Sequence, residues 1–296
     1  MQQSGTECEF CSSDSWVILS PIEQSIKRKI EAVGTPLKDW DIQINYGIKT
    51  GYNDAFIIDT AKRDEILANC QSEDERKRTA ELIRPILRGR DIKRYGYNWA
   101  GLYLIATFPS RHYDIEQYPA VKEYLLSFGI ERLEQTGKEH NVNGEKIKAR
   151  KKTSNKWFET QDSISYWEDF SKPKIVFQEI VQESQFFYDM DGRFICNDTC
   201  RIIVGKELSF LLGVLNSKLF FYAIKHFYGG GVLGEHGIRM KHTFFQNFPC
   251  IQYNSTIDKL VKELTEKKNA KVENQIGNKI YNLYGLTPQE IQMVEE

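Results

Sequence analysis

Apolar positions along the chain follow two rhythms, and each predicts a different element. Ile22, Ile26 and Ile30 recur every fourth residue, which places their side chains on one helical face. Ser20 stands ahead of them as an N-cap, Pro21 takes the first helical position and Glu23 the third, so a helix over about 21–33 is predicted. Trp40, Ile42, Ile44 and Tyr46 alternate with polar residues instead, the period of a half-buried strand. Ala55 to Ile58 reads as a returning strand, which makes the glycine-containing stretch between them the tip of a strand-loop-strand unit.

Further elements follow from the same signals. Ser72-Glu73-Asp74-Glu75 opens a polar helix that should stop near Pro85, so Arg88 to Asp91 would follow a helix terminus. Leu102 to Thr107 reads as a buried strand and Tyr118 to Phe128 as a helix with Pro119 in its first turn. Lys174 to Ile180 and Phe186 to Tyr188 read as strands, with Asp191-Gly192 turning the chain into Phe194 to Asn197. Leu208, Leu211, Leu212, Leu215, Leu219 and Phe220 trace one apolar helix face running to about Phe227, followed by a break at Gly229-Gly230-Gly231. Phe244, Phe245 and Phe248 before Pro249 are candidate core anchors. In the last forty residues Ile257, Leu260, Val261 and Leu264 share a face, and Thr287-Pro288-Gln289-Glu290 caps a short final helix. Residues 135 to 156 have almost no apolar periodicity and read as a long basic loop. Such loops inside compact domains are usually functional or disordered. The expected fold class is mixed α/β (α+β) with a helical C-terminal part.

Composition narrows the function classes. The 296 residues suffice for one large or two smaller domains, and no apolar run approaches the roughly 18 residues of a membrane span. The start, Met1-Gln2-Gln3-Ser4-Gly5-Thr6-Glu7, has neither the basic nor the apolar part of a signal peptide, so a cytoplasmic chain with no membrane partner is expected. Six scattered cysteines do not make a disulfide framework. The net charge is only -1, yet residues 84 to 156 hold 15 Lys and Arg against 8 Asp and Glu. A positive stretch on a neutral protein suits a polyanion binder, although charged stretches are also ordinary solvated surface.

The candidate chemistry is sparse. Gly47-Ile48-Lys49-Thr50-Gly51 lacks the spacing and the terminal Gly-Lys-Ser/Thr of a nucleotide-phosphate loop, which leaves a hairpin turn or a binding loop. Arg88-Gly89-Arg90-Asp91 is either an ion-paired corner or a fork aimed at phosphates or guanine edges. Cys8 and Cys11 have the spacing of half a zinc site, but Cys196 and Cys200 make a poor second half, and no metal site is expected. Asp169 and Glu179 with Lys174 faintly match the pattern of metal-dependent nucleases, which gives a stand-alone Mg²⁺ nuclease as an alternative. A protein-interaction module that uses the amphipathic tail is another. The five histidines pair with no serine or cysteine elbow, and no catalytic residue is assigned.

The stretch from Gly47 to Phe56, then Leu87-Arg88-Gly89-Arg90-Asp91-Ile92, Asn155-Lys156-Trp157-Phe158-Glu159 and Lys172-Pro173-Lys174-Ile175-Val176 stand in an order that resembles the TaqI-like C-terminal specificity domain of type IIG restriction-modification enzymes. Asn216-Ser217-Lys218-Leu219 and Ile280 to Thr287 add to the resemblance, which spans roughly residues 15 to 296. It implies a DNA-methylase-type specificity fold that binds double-stranded DNA and selects the site for an adenine-N6 methyltransferase or restriction enzyme. It also implies an arm and connecting helix over 1–35, a target recognition domain over 36–253 and a helical segment over 254–296. The chain has no Asn-Pro-Pro-Tyr motif and no glycine-rich adenosylmethionine loop. The expectation is therefore a recognition part separated from its catalytic domains. S-adenosylmethionine and Mg²⁺ would belong to the missing methyltransferase and nuclease partner domains, and this chain would carry no cofactor. Expected DNA contacts are Lys49, Thr50, Tyr52 and Asn53 on a first loop, Arg88 and Arg90 on a second, and Lys148, Arg150, Lys151, Lys152 and Lys156 on the basic loop. Trp157 is the alternative anchor of that loop.

Overall fold

The computed structural model describes residues 19–229, 232–233 and 237–296. Cys8, Cys11, Gly230 and Gly231 lie outside the described residues, as does the half zinc site that the two cysteines would form. The chain divides into two units, one taking in residues up to Ile42 with Glu179–Phe186 and Gly205–Glu296, the other Gln43–Gln178 with Phe187–Val204.

In the first unit the capping signals act as predicted. The Ser20 hydroxyl accepts from the Glu23 N–H, the Glu23 carboxylate accepts from the Ser20 N–H, and the helix Pro21–Val33 buries Ile26 and Ile30. Thr287 and Glu290 repeat this reciprocal cap for Pro288–Glu295. Glu290 also accepts from Ser25 Oγ and Lys29 Nζ, each at 2.7 Å. Burial alone would raise its carboxyl, but those hydrogen bonds and the Thr287 N–H outweigh burial and lower it to about 2. The helices Ser255–Glu266 and Ala270–Leu283 complete the expected helical C-terminal part. Phe245 and Phe248 are fully buried, while Phe244 is only partly so.

The apolar stretch after Leu208 differs from expectation. It is not one helix but Leu208–Leu215, then Lys218–Ala223 continued by a wider π turn over Ile224–Tyr228, with a bend of 63° between the two parts. The cause is local. Asn216 spends its amide on Phe186, accepting from its N–H at 3.0 Å and donating to its carbonyl at 2.9 Å, while Ser217 caps the next helix by accepting from the Phe220 N–H. Among the described residues no single helix is long and apolar enough to cross a membrane.

The second unit holds a four-stranded sheet in the order Ile195–Cys196, Ile83–Leu87, Leu102–Ile105, Ile57–Asp59. Ile195–Cys196 runs parallel to its neighbour, and the other pairs are antiparallel. A further sheet has the order Phe186–Asp189, Lys174–Gln178, Cys200–Gly205, Ile42–Tyr46. Phe56, Ile86, Leu87, Ile92, Leu104, Ile105, Val121, Leu125, Leu133 and Ile202 form the fully buried centre of the core.

Three local expectations are corrected here. Ile42–Tyr46 and Ile57–Asp59 belong to different sheets, so the stretch from Gly47 to Tyr52 crosses between sheets and does not close a hairpin. Its end forms a helical turn, Asn53–Phe56, which buries Ala55 and Phe56 where a strand was expected. The helix Glu73–Leu82 passes without a loop into the strand Ile83–Leu87, so Pro85 lies inside a strand and Arg88-Gly89-Arg90 follows a strand end. The supposed loop over 135 to 156 contains a hairpin in which Glu139–Val142 pairs with Glu145–Lys148. Asn143 and Gly144 make its two-residue turn with φ of +53° and +88°, the left-handed pair that suits the twist of antiparallel strands.

Candidate nucleic-acid interface

The expected contact residues divide into those the fold uses internally and those it presents to solvent. Arg150 is only 4% exposed. Its Nε donates to the Leu133 carbonyl at 2.7 Å, one terminal nitrogen to the Thr50 and Glu159 carbonyls at 2.7 and 2.8 Å, and the other to the Trp157 carbonyl at 2.6 Å. The Phe56 ring lies 4.9 Å from the guanidinium carbon. Burial lowers the guanidinium to about 10, so it keeps its charge at neutral pH. Arg150 was expected to touch DNA, but it is an internal clamp that solvates four carbonyls.

Gln135 and Gln161 extend the clamp. Gln135 Nε2 donates to the Lys156, Glu159 and Thr160 carbonyls, and its Oε1 accepts from Thr153 Oγ1 and Gln161 Nε2. Gln161 also donates from its side chain to the Lys151 carbonyl at 3.1 Å and from its N–H to the Lys49 carbonyl at 3.0 Å. The backbones of Lys49 and Lys151 are thus tied to one residue. Gly51 sits at this seam with φ of +76°, and a Cβ there would come within 2.4 Å of Gln161 Oε1 and 3.0 Å of Arg150 Cδ. Glycine is required by both backbone conformation and space.

Within the first loop the structure separates neighbours. Thr50 is 1% exposed; its hydroxyl accepts from the Tyr52 N–H at 3.1 Å and donates to Asn53 Oδ1 at 2.6 Å. Tyr52 is half-buried, edge-on to Phe128 at 5.8 Å and beneath the Arg132 guanidinium at 5.3 Å. Lys49 and Asn53 are exposed.

The second loop is the ion-paired corner. Arg88 donates from Nε and a terminal nitrogen to the two Asp91 carboxylate oxygens at 3.0 and 2.8 Å, and its N–H reaches the same carboxylate at 2.9 Å. Burial alone would raise the Asp91 carboxyl, but these hydrogen bonds prevail and hold it below the usual carboxylate range. The bond to Asp91 in turn raises the Arg88 guanidinium. Arg90 remains exposed.

Asn197 and Thr199, which the sequence pattern did not single out, join the two glycine motifs. The Ile48 and Asn197 backbones form a parallel bridge, the Gly47 N–H donates to the Cys200 carbonyl, and the Asn197 N–H donates to the Leu87 carbonyl. Thr199 Oγ1 accepts from the Gly89 N–H at 2.9 Å and donates to Asn197 Oδ1 at 2.6 Å. The available signal was Asn197-Asp198-Thr199, a side-chain-stabilised turn between two apolar runs.

Lys49, Arg90, Lys148, Lys151, Lys152 and Lys156 are the expected cations that reach solvent. Trp157 is half-buried, with its carbonyl bound by Arg150 and its ring edge-on to Phe158, so the anchoring alternative describes it. The residues of the nuclease alternative are each engaged. Lys174 is fully buried, ion-paired to Asp189 and donating to the Phe170 carbonyl. Asp169 accepts from Asn45 and Lys172, and Glu179 pairs with Arg239 at 3.4 Å. Cys196 and Cys200 are buried free thiols, and among the described residues no group of three or more His, Cys, Asp or Glu could hold a metal ion.

A model of the TaqI-like C-terminal specificity domain matches residues 84–231, half of the chain. The fold is similar to that of the type IIL restriction-modification enzyme MmeI, whose structure was solved in complex with DNA, at a TM-score of 0.55 and 13% identity over 88% of this chain and 35% of that one. It is also similar to the type IIG restriction endonuclease BpuSI, at a TM-score of 0.56 and 13% identity over 93% of this chain and 31% of that one. The chain spans about a third of the length of either enzyme.

Proposed function

The chain belongs to the family of TaqI-like C-terminal specificity domains, and we propose that it recognises a specific sequence in double-stranded DNA. On this reading it selects the site for an adenine-N6 methyltransferase or restriction enzyme whose catalytic domains, with their S-adenosylmethionine and Mg²⁺, lie outside this chain. One observation carries the proposal. Buried Arg150, Gln135 and Gln161 hold the backbones that present Lys49, Lys151, Lys152 and Lys156 to solvent, a rigid cationic surface built by the core. Lysines so held grip phosphates and set the register, while neutral side chains beside them read base edges.

The test is duplex binding measured across salt concentration. Replacing Lys148, Lys151, Lys152 and Lys156 by glutamine should reduce the slope of log affinity against log salt by about 0.9 for each phosphate that is no longer neutralised. A chain with no slope, or a slope unchanged in the fourfold variant, would overturn the proposal.

A further inference from the structure

The first loop carries an exposed amide whose polarity is set from inside. Thr50 is almost wholly buried, so its hydroxyl proton needs an acceptor within the protein. The hydroxyl oxygen already accepts from the Tyr52 N–H, and its proton goes to Asn53 Oδ1 at 2.6 Å. Turning the Asn53 amide over would bring Nδ2 to the hydroxyl and leave that proton without a partner. Behind Thr50, the Arg150 clamp fixes its carbonyl at 2.7 Å, so the backbone carrying the hydroxyl is fixed as well. Asn53 Oδ1 is thereby held toward Thr50. Among the described residues none accepts from Nδ2 of this exposed side chain.

We infer that Asn53 is a specificity-determining residue that reads a hydrogen-bond acceptor on a base edge through Nδ2, with Thr50 as its positioning residue. The inference rests on the DNA-recognition reading and gives it a chemical direction. Asparagine commonly contacts adenine in a bidentate way, using its oxygen for the N6 amine and its nitrogen for N7. With Oδ1 engaged by Thr50, that pairing is disfavoured here. A lone Nδ2 donor fits guanine O6 or N7, thymine O4 or adenine N7, and finds no acceptor on the major-groove edge of cytosine.

Selection of bound duplexes from a random pool by the full chain tests this. The wild type should select a site containing one Asn53-dependent position from which cytosine is excluded. In Asn53→Asp one oxygen still receives the Thr50 proton and the other replaces the donor with an acceptor. Preference at that position should move at least tenfold toward cytosine, whose amine donates. Thr50→Val, which keeps the shape and removes the hydroxyl, should relax the same position and leave the salt slope of non-specific binding unchanged. A general loss of folding would instead lower the slope and the melting temperature together. If the wild type selects a site and Asn53→Asp selects the same one, this inference is overturned while DNA recognition stands. If the wild type selects no site at all, the recognition proposal falls first and takes this one with it.

Discussion

The corner at Arg88 to Asp91 and the loop that follows Arg150 both withdraw an arginine from the surface, by different chemistry. Arg88 meets a carboxylate, so its charge is cancelled and the corner offers one exposed cation, Arg90. Arg150 donates its hydrogen bonds to four carbonyls, and the Glu159 carboxylate acts on it only through space, so no direct ion pair cancels its charge. Lys151, Lys152 and Lys156 therefore stand around a positive charge that remains. The difference teaches that the basic excess of the sequence does not map evenly onto the surface. The loop is the stronger source of field, and the corner is chiefly a geometric support for Gly89 and its neighbours.

The largest expected effect separates the two arginines by stability. Arg150→Met leaves the Thr50, Leu133 and Trp157 carbonyls without a donor and the Glu159 carbonyl with Gln135 alone, which should cost about 3 to 5 kcal/mol. Arg88→Met leaves the Asp91 carboxylate the Arg88 backbone N–H, and water can take the place of the Arg88 side chain, which is 23% exposed, so the change should cost about 1 to 2 kcal/mol. Urea unfolding of both variants measures the gap. Equal losses would mean that the two arginines are alike, and the comparison would break.

These two roles differ sharply in how far the sequence revealed them. Arg88 and Asp91 are three residues apart, so an ion-paired corner could be proposed from local spacing and was one of the two alternatives. Arg150 takes its partners from Thr50, Leu133, Trp157 and Glu159, separated by up to a hundred residues, and no local pattern distinguishes a buried arginine within a basic run. The capped helices at Pro21 and Pro288 were legible because a capping box lies within four residues. The bend at Asn216 was not, because its partner Phe186 belongs to a distant strand. The hairpin around Asn143-Gly144 was legible in principle. Its only apolar residues, Val142 and Ile147, share one partly buried face, too short an alternation to stand out, so the turn dipeptide carried the signal.

Acid should then discriminate between the same two regions. The Asp91 carboxyl lies below its unfolded value, so its contribution to stability is complete above about pH 4 and is lost as pH falls through the folded value. Asp91→Asn should cost about 1 to 2 kcal/mol at neutral pH, and the gap from wild type should narrow below pH 4. The buried Glu159 carboxylate acts on the Arg150 guanidinium through space but takes no hydrogen bond from it, so the penalty of Arg150→Met should change less between pH 7 and pH 4 than that of Asp91→Asn. Unfolding midpoints of the two variants across this range decide it, and a penalty that shrinks as much for Arg150→Met as for Asp91→Asn would make Glu159 a partner equal to Asp91.

The smallest effect concerns how independent the loop is of the hairpin that leads into it. Gly144 has φ of +88°, and alanine there should cost about 1 kcal/mol through backbone strain. The hairpin Glu139–Lys148 is largely exposed, so the loss should appear as faster amide exchange along its strands more than as a shift of global unfolding. Beyond Lys148 the chain is gripped by Arg150, Gln135 and Gln161, and Lys151, Lys152 and Lys156 should keep their positions when the hairpin frays. Duplex affinity of Gly144→Ala should therefore fall by less than about threefold, since at most the grip of Lys148 on one phosphate is loosened. A fall as large as that of the fourfold lysine variant would mean that the hairpin, and not the buried arginine, sets the cationic surface.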